Sequence, residues 1–326
     1  MISLGIESTA HTFGCVIITD KGKVLANLRD MYVSEKEGIH PGKARDHHNA
    51  VKDAIVENAL KTAKLSLRDI DIITFSQGPG LPPCLLVGME KAKELAREAR
   101  IPLVGVNHCI SHLEIARKLT KAKDPVLLYT SGANTQIIAY EGGKYRIFGE
   151  TLDQGVGNFI DAFARHMGLG FPGGPKIEQL ALKSRNYVEL PYVVKCMDVS
   201  FSGLLTNLKQ KYDSGKYKAE ELAYSLQETI FAMLVEVAER AMAHTGKKEL
   251  VLGGGVACNA RLQEMCRIMC KARKAMFFAP EKQFLMDNGL MIAWQGILQK
   301  RHGTKEHDSV DIKPYQRTDD IAVDWR

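Results

Sequence analysis

The 326-residue chain contains no apolar run approaching the ~18 residues needed to span a bilayer. Met1 leads straight into a strand-like segment without the stages of a secretory signal, so a soluble, cytoplasmic protein is expected. No Cys-x-x-Cys pair occurs. The seven cysteines, Cys15, Cys84, Cys109, Cys196, Cys258, Cys266 and Cys270, are odd in number and scattered, which argues against a zinc knuckle or redox dithiol and for reduced thiols. Cys266 and Cys270 lie four apart on a predicted helix and read as small buried hydrophobes rather than soft metal ligands. There is no G-x-x-x-x-G-K-[ST] and no G-x-G-x-x-G after a strand, so neither a P-loop nor a dinucleotide fingerprint is present. What remains is 45% hydrophobic and 25% charged, an ordinary globular composition with enough length for two cores. Lys plus Arg number 44 against 38 for Asp plus Glu, a surplus of +6 that permits a polyanionic partner. The basic runs at 91–100, 117–123, 209–218 and 267–274 are dispersed, and no stripe suited to autonomous nucleic-acid binding emerges.

A repeat organises the chain. Residues 4–24 (LGIESTAHTFGCVIITDKGKV) shifted by 121 fall on residues 125–145 (PVLLYTSGANTQIIAYEGGKY) without a gap. Each copy has an apolar strand, a small hydroxyl-rich turn, a β-branched returning strand and a Gly-Lys hairpin turn at Gly22-Lys23 or Gly143-Lys144. Helical periodicity follows both copies, over 46–64 and 89–100 in the first half and 158–168, 176–184, 219–244, 257–272 and 287–300 in the second. Short buried strands are expected at 71–76, 103–106 and 250–252, and a polar tail after the last helix. The pattern is α/β with two similarly built lobes, not all-β.

Three groups of residues are chemically suggestive. His108 and His112 follow a strand with Asn107 placed to cap a helix, and their i, i+4 spacing puts both imidazoles on one face, where they serve as well for a core pair as for a shared metal. Cys109 stands where a zincin protease needs its glutamate, which disfavours that chemistry. Tyr129 at a strand end and Asp287 at a helix start read on their own as half-buried core and as an N-cap; joined to the histidines they would give a nitrogen and oxygen set suited to iron or zinc. Gly253-Gly254-Gly255, with Asn259 one turn into the following helix, and the turn from Thr130 to Thr135 offer backbone amides to a phosphate or ribose, although a glycine triplet also serves helix packing. Asp161 after Gly155-Val-Gly157-Asn158, and Glu178 after Phe171-Pro-Gly-Gly174-Pro-Lys176, fit ribose-hydroxyl recognition or a solvated helix face equally. His47 and His48 read as the start of a surface helix. No side chain stands out as a general base.

Together these residues resemble one family, the tRNA N6-adenosine threonylcarbamoyltransferases, once called O-sialoglycoprotein endopeptidases. The match is to the archaeal and eukaryotic branch that forms the catalytic subunit of the KEOPS complex. It runs in order from Gly5-Ile-Glu-Ser8 through Ser76-Gln-Gly-Pro-Gly-Leu81, Gly105-Val-Asn-His-Cys109, Tyr129-Thr-Ser-Gly132, Phe148-Gly-Glu-Thr-Leu-Asp153, Pro172-Gly-Gly-Pro175, Phe201-Ser-Gly-Leu204 and Gly254-Gly-Val256 to Met286-Asp-Asn-Gly289, nearly the whole chain. Two departures stand out. Thr130 and Ala133 replace Val and Gly of the usual Tyr-Val-Ser-Gly-Gly-Asn-Thr, and Leu86 replaces an arginine of the Gly-x-Ser-Leu-Arg-Val run.

The resemblance implies the two-lobed actin-like, sugar-kinase and Hsp70-like (ASKHA) fold with a nucleotide cleft, residues 1–124 completed by 290–326 forming one lobe and 125–289 the other. It implies metal ligands at His108, His112, Tyr129 and Asp287, with Fe2+ favoured over Zn2+. Substrate contacts fall on Tyr129, Thr130, Ser131, Gly132, Ala133, Asp161, Gly174, Glu178 and Asn259, and further nucleotide-loop positions on Asn134, Gly157, Gly254 and Gly255. The implied reaction moves a threonylcarbamoyl group from L-threonylcarbamoyl-AMP to N6 of adenosine 37 in tRNAs reading ANN codons, with AMP released. A separate threonylcarbamoyl-AMP synthase would supply the donor. The implied partners are tRNA and the KEOPS subunits, a small atypical kinase, a dimerising subunit and a kinase-binding subunit. An ATPase or kinase of the same fold acting without tRNA is the alternative, with a metalloprotease behind it.

Overall fold

The duplicated meander forms the centre of two five-stranded sheets in the computed structural model, which describes residues 1–34, 38–303 and 310–326. In the first sheet, β1 (Ile2–Glu7), β2 (Thr12–Thr19) and β3 (Val24–Met31) are antiparallel neighbours. β4 (Ile72–Gly78) and β5 (Leu103–Asn107) extend the sheet in parallel on the other side of β1. The second sheet repeats this plan with β6 (Val126–Thr130), β7 (Thr135–Glu141) and β8 (Lys144–Glu150), joined later by β11 (Glu249–Gly253) and β12 (Met276–Phe278). The strand orders are β3-β2-β1-β4-β5 and β8-β7-β6-β11-β12. A small ribbon, β9 (Val194–Lys195) with β10 (Asp198–Val199), lies outside both. β1 and β6 end 123 residues apart, whereas β3 and β8 begin 120 apart, so the uniform shift of 121 is an average over unequal turns.

Helices α1 (Pro41–Ala63) and α2 (Pro82–Ala99) cover one face of the first sheet. α4 (Val156–His166), α5 (Gly174–Ala181), α6 (Ser202–Asp213), α7 (Ala219–Thr245) and α8 (Ala260–Ala272) build the outer core of the second. α3 (His108–Thr120) and α10 (Gly289–Arg301), with the single turn α9 (Lys282–Leu285), fill the space between the sheets. α1 and α2 start five and seven residues earlier than their periodicity suggests. Proline occupies the first turn of each, where its missing N–H costs nothing. α10 lies directly on β1 because Gly5 has no side chain: a Cβ there would sit 2.6 Å from Ala293 N and 2.7 Å from Gly289 O.

The tail is not simply polar. α10 packs on the first sheet, but Ile321, Val323 and Trp325 pack into a core shared by α3 and the second sheet. The segment expected to complete the first lobe therefore divides between the two. His48 is fully buried against Phe13 rather than at a helix surface.

Candidate metal centre and ligand cleft

α3 starts where β5 ends, at the carboxyl edge of the first sheet. Asn107 caps it, Oδ1 accepting from Ile110 N at 3.1 Å. That fixes the first turn and aims His108 and His112, 4% and 1% exposed, across to the start of α10. Nε2 of each imidazole lies 3.3 Å from Asp287 Oδ1. Asp287 is not the cap of α10. Asn288 takes that role, accepting from Met291 N at 3.1 Å and donating to Met286 O at 2.7 Å, which leaves the neighbouring carboxylate free to face the histidines.

Among the described residues, His108, His112 and Asp287 form a group able to hold a metal ion, their donor atoms within 4.8 Å of one another. The 3.3 Å separations match the edge of about 3.3 Å in a tetrahedron with metal–ligand bonds of about 2.0 Å. Tyr129, buried at the end of β6, brings its ring centroid to 5.0 Å from that of His112.

Charge reinforces the geometry. Burial alone would lower the His108 imidazole, but the Glu7 and Asp287 carboxylates outweigh it and hold the group well above its ordinary value. Burial lowers His112, and its Nδ1 has no partner. Asp287, although buried, is held well below the usual carboxylate range by the two imidazoles. Burial keeps the Tyr129 phenol protonated far above its ordinary value, so a bound cation would be needed to favour its phenolate.

Glu7 is a candidate site residue that the residue-by-residue reading missed. Wholly buried at the end of β1, it stands 3.1 Å from His108 Nδ1 through Oε2. Its Oε1 accepts from Thr9 N at 2.7 Å and from the Thr9 hydroxyl. A carboxylate behind a ligating histidine fixes its tautomer and ring orientation. The available signal was an acid ending an otherwise apolar strand, since a buried charge requires a partner.

In the second lobe the turn after β6 is built differently from the turn after Glu7. Ser131 N donates to Asn134 O at 2.8 Å and Asn134 N to Ser131 Oγ at 3.0 Å, closing a tight turn with Gly132 and Ala133 exposed. The start of α4 supports this turn, Gly157 N donating to Ser131 O at 3.1 Å and Asn158 N to Gly132 O at 2.9 Å. Gly157 must be glycine here, because a Cβ would lie 2.7 Å from Gly132 Cα. The Thr130 hydroxyl is turned away to Gly253 O at 3.3 Å, so this departure from the family pattern lies within the sheet. Leu86 is partly exposed on α2.

Gly254, with φ +91°, packs on the Thr130 carbonyl and leads with Gly255 into a 3-10 turn. Asn259 is the N-cap of α8 rather than a residue within it, accepting from Arg261 N at 2.8 Å and donating to Gln227 Oε1 at 2.9 Å. Glu178 Oε1 accepts from Ala260 N at 2.8 Å, and both residues line a cavity of about 410 Å³ with Gln227, Arg261 and Arg267. Asp161, its carboxyl pushed up by burial, accepts from Gly173 N at 2.7 Å and holds the turn before α5. A Cβ on Gly174 would meet open space. Across from this turn, His11 of the first lobe packs edge-on to Phe171 at 6.0 Å. The structure thus brings His108, His112, Asp287 and Tyr129 together, packs Gly157 and Gly254 on the Thr130–Gly132 backbone beyond Tyr129 and Gly253, and joins Glu178 and Asn259 at the start of α8.

A family model described as tRNA N6-adenosine threonylcarbamoyltransferase matches residues 23–294. The chain is 56% identical over 327 residues, 100% of both proteins, to the tRNA N6-adenosine threonylcarbamoyltransferase of Thermococcus kodakarensis. It is 50% identical over 326 residues to a probable bifunctional tRNA threonylcarbamoyladenosine biosynthesis protein of Methanosarcina mazei, covering 99% of this chain and 59% of that protein. Among solved structures it resembles HypF of T. kodakarensis (TM-score 0.66, 15% identity, 94% of this chain and 48% of that one). It also resembles the (R)-2-hydroxyglutaryl-CoA dehydratase component A of Acidaminococcus fermentans (TM-score 0.56, 14% identity, 90% and 96%). At such identities the likeness concerns the fold, which is the two-lobed ASKHA type.

Proposed function

The chain belongs to the tRNA N6-adenosine threonylcarbamoyltransferase family, and from that premise we propose that its cleft transfers the threonylcarbamoyl group of L-threonylcarbamoyl-AMP to N6 of adenosine 37 in tRNAs reading ANN codons. The chain is an enzyme of tRNA modification; the donor, the position and the roles of individual residues are our reading. The observation that carries it is the convergence of His108, His112 and Asp287 next to Tyr129 and Gly253, from which the two glycine-bearing turns continue. In the transfer, a bond forms from N6 to the carbamoyl carbon, the bond from that carbon to the AMP phosphate oxygen breaks, and one N6 proton is lost.

His108, His112, Tyr129 and Asp287 would hold one transition metal ion; the nitrogen and oxygen set suits iron or zinc alike, and the family resemblance favours Fe2+. When bound, that ion supplies Lewis acidity that offsets negative charge on the donor's oxygens. Glu7 orients His108. The Ser131 to Asn134 turn, with Gly157 behind it and Gly254 and Gly255 beside it, presents amides to the phosphate. Asp161, Gly174, Glu178 and Asn259 shape the adenosine side, where Glu178 and Asn259 are already fixed by the α8 amides. The exocyclic amine is a weak nucleophile, so positioning of amine and acyl carbon carries much of the acceleration.

Residues 1–124 with the block from Asp287 through α10, and 125–286 with residues 321–326, are taken as the two sides of the cleft. The bifunctional name of the M. mazei relative, which extends well beyond this chain, fits work alongside a second activity. KEOPS subunits, a threonylcarbamoyl-AMP synthase and a cytoplasmic setting complete the reading, and no helix among the described residues is long and apolar enough to cross a membrane.

The test is elemental analysis of the purified protein, with nucleoside analysis of tRNA after incubation with threonine, bicarbonate, ATP, the synthase and KEOPS partners. Modified adenosine is expected from wild type and none from a folded His108→Ala variant that has lost its metal. A protein that only hydrolyses ATP under these conditions would instead be the ATPase of the alternative reading.

A further inference from the structure

Residues 311–326 bridge the two lobes over the metal helix. The first part is fastened to the first lobe: Lys313 N donates to Gln77 O at 2.8 Å, Gln77 Nε2 to Asp311 O at 2.7 Å, Gly80 N to Pro314 O at 3.1 Å and Asn107 Nδ2 to Gln316 Oε1 at 3.2 Å. The second part is fastened to the second lobe. Ala322 bridges Lys144, Val323 N donates to Gly143 O at 3.1 Å, and Arg326 stacks over Tyr140 at 4.3 Å. Between them Thr318 is buried beside Cys109, which lies between His108 and His112 on α3.

The strap also joins α3 directly. Glu114, 3% exposed and one half-turn beyond His112, receives the Trp325 indole N–H at 2.9 Å, the Tyr145 hydroxyl and Arg117 Nη1 at 2.7 Å. A buried carboxylate with donors from three elements fixes their mutual orientation, because each donor lost exposes part of its desolvation cost. Val323 and Trp325 pack in the same apolar cluster as Tyr129, Cys109 and Leu113. The candidate ligands come from both sides of this joint: His108 and His112 from α3, Asp287 from the start of α10, and Tyr129 from the second sheet.

We propose that residues 311–326 are a strap that sets the separation between Tyr129 and the α3 imidazoles, with Trp325 as its positioning residue. This rests on the metal reading above. The strap makes no contact with substrate in this role; it acts through Glu114 and through the shared apolar cluster.

Co2+ is the probe, titrated into the metal-free full-length protein against a chelator, with its d–d absorption recorded and tRNA modification measured in parallel. For Trp325→Ala, Co2+ affinity is expected to fall about tenfold with an altered d–d band, the scale seen when a supporting group behind a ligand is lost. Trp325→Phe, which keeps an aromatic ring in the apolar cluster and loses the indole N–H, is expected to fall in between, and it decides the matter if the alanine variant does not fold. Arg301→Ala, which removes a surface contact to Asp20, serves as the stability control and is expected to leave Co2+ binding unchanged. Folded Trp325 variants with wild-type Co2+ affinity and band shape, whatever their melting temperature, would overturn the strap proposal. Wild-type protein that binds no Co2+ would overturn the metal reading first, and the strap proposal with it.

Discussion

The two lobes start from the same hairpin and use it in opposite ways. In the first, the strand before the turn ends in Glu7, whose buried carboxylate faces His108, and the turn is backed by bulk: His48 and Phe13 pack at 5.6 Å beside the Ala10 backbone. In the second, the matching strand ends in Tyr129 and Thr130, and the turn is backed by Gly155 and Gly157 at backbone contact. α1 and α4 hold equivalent places after β3 and β8, yet one contributes a buried ring and the other contributes space. A duplicated framework can thus separate two needs within one cleft, a rigid charged anchor for a ligating histidine and an open ring of amides for an anion.

The contrast fails at its strongest point if Glu7 is dispensable. Glu7→Gln keeps the shape and removes the charge, and is expected to weaken metal binding and lower modification by ten- to a hundredfold, measured by elemental analysis and nucleoside chromatography. Unchanged metal content would make Glu7 merely a buried partner of Thr9. A smaller effect should follow Gly157→Ala. Its methyl would press on Gly132 Cα at 2.7 Å, so the second-lobe turn must move, and the KM for threonylcarbamoyl-AMP should rise about tenfold with metal content intact. An altered metal content in that variant would show that the two turns are not separable.

A separate test, of stability rather than of activity, concerns His48, whose imidazole is pushed down by burial to about 4. The unfolded chain, with an ordinary value of 6.5, binds this proton more readily than the folded one between these limits. Stability is therefore complete above pH 6.5 and falls as pH drops toward 4, by about 1.4 kcal/mol per unit and about 3 kcal/mol in all. Urea denaturation at pH 7 and pH 5 should show the loss, and His48→Gln should flatten it. An equal slope in the variant would assign the acid sensitivity to other groups.

Much of the framework was legible in the sequence because it is written in short-range signals. Alternating apolar residues and the Gly-Lys turns mark both meanders, and Asn107 before His108 marks the start of α3. Proline hid the first turns of α1 and α2, since periodicity is a weak guide where the residue tolerated is not apolar. The tail was misjudged for another reason. Ile321, Val323 and Trp325 alternate as a strand would, but polar neighbours and the distance to α3 concealed what they cover. Asp287 illustrates the limit most clearly. Its own surroundings suggest a cap, and only the placement of Asn288 one residue later frees it, a choice made by three-dimensional competition for the same amides. The 175 residues from His112 to Asp287 carry no local trace of their meeting, which entered through family resemblance.

The contact of Gly5 with α10 bears on all of this. Because β1 and α10 touch backbone to backbone, Glu7 and Asp287, two residues beyond either end of that seam, belong to a single block with little play. If the cleft breathes, an ion held by His108, His112 and Asp287 would ride with the first lobe, and only the phenol of Tyr129 would be left behind.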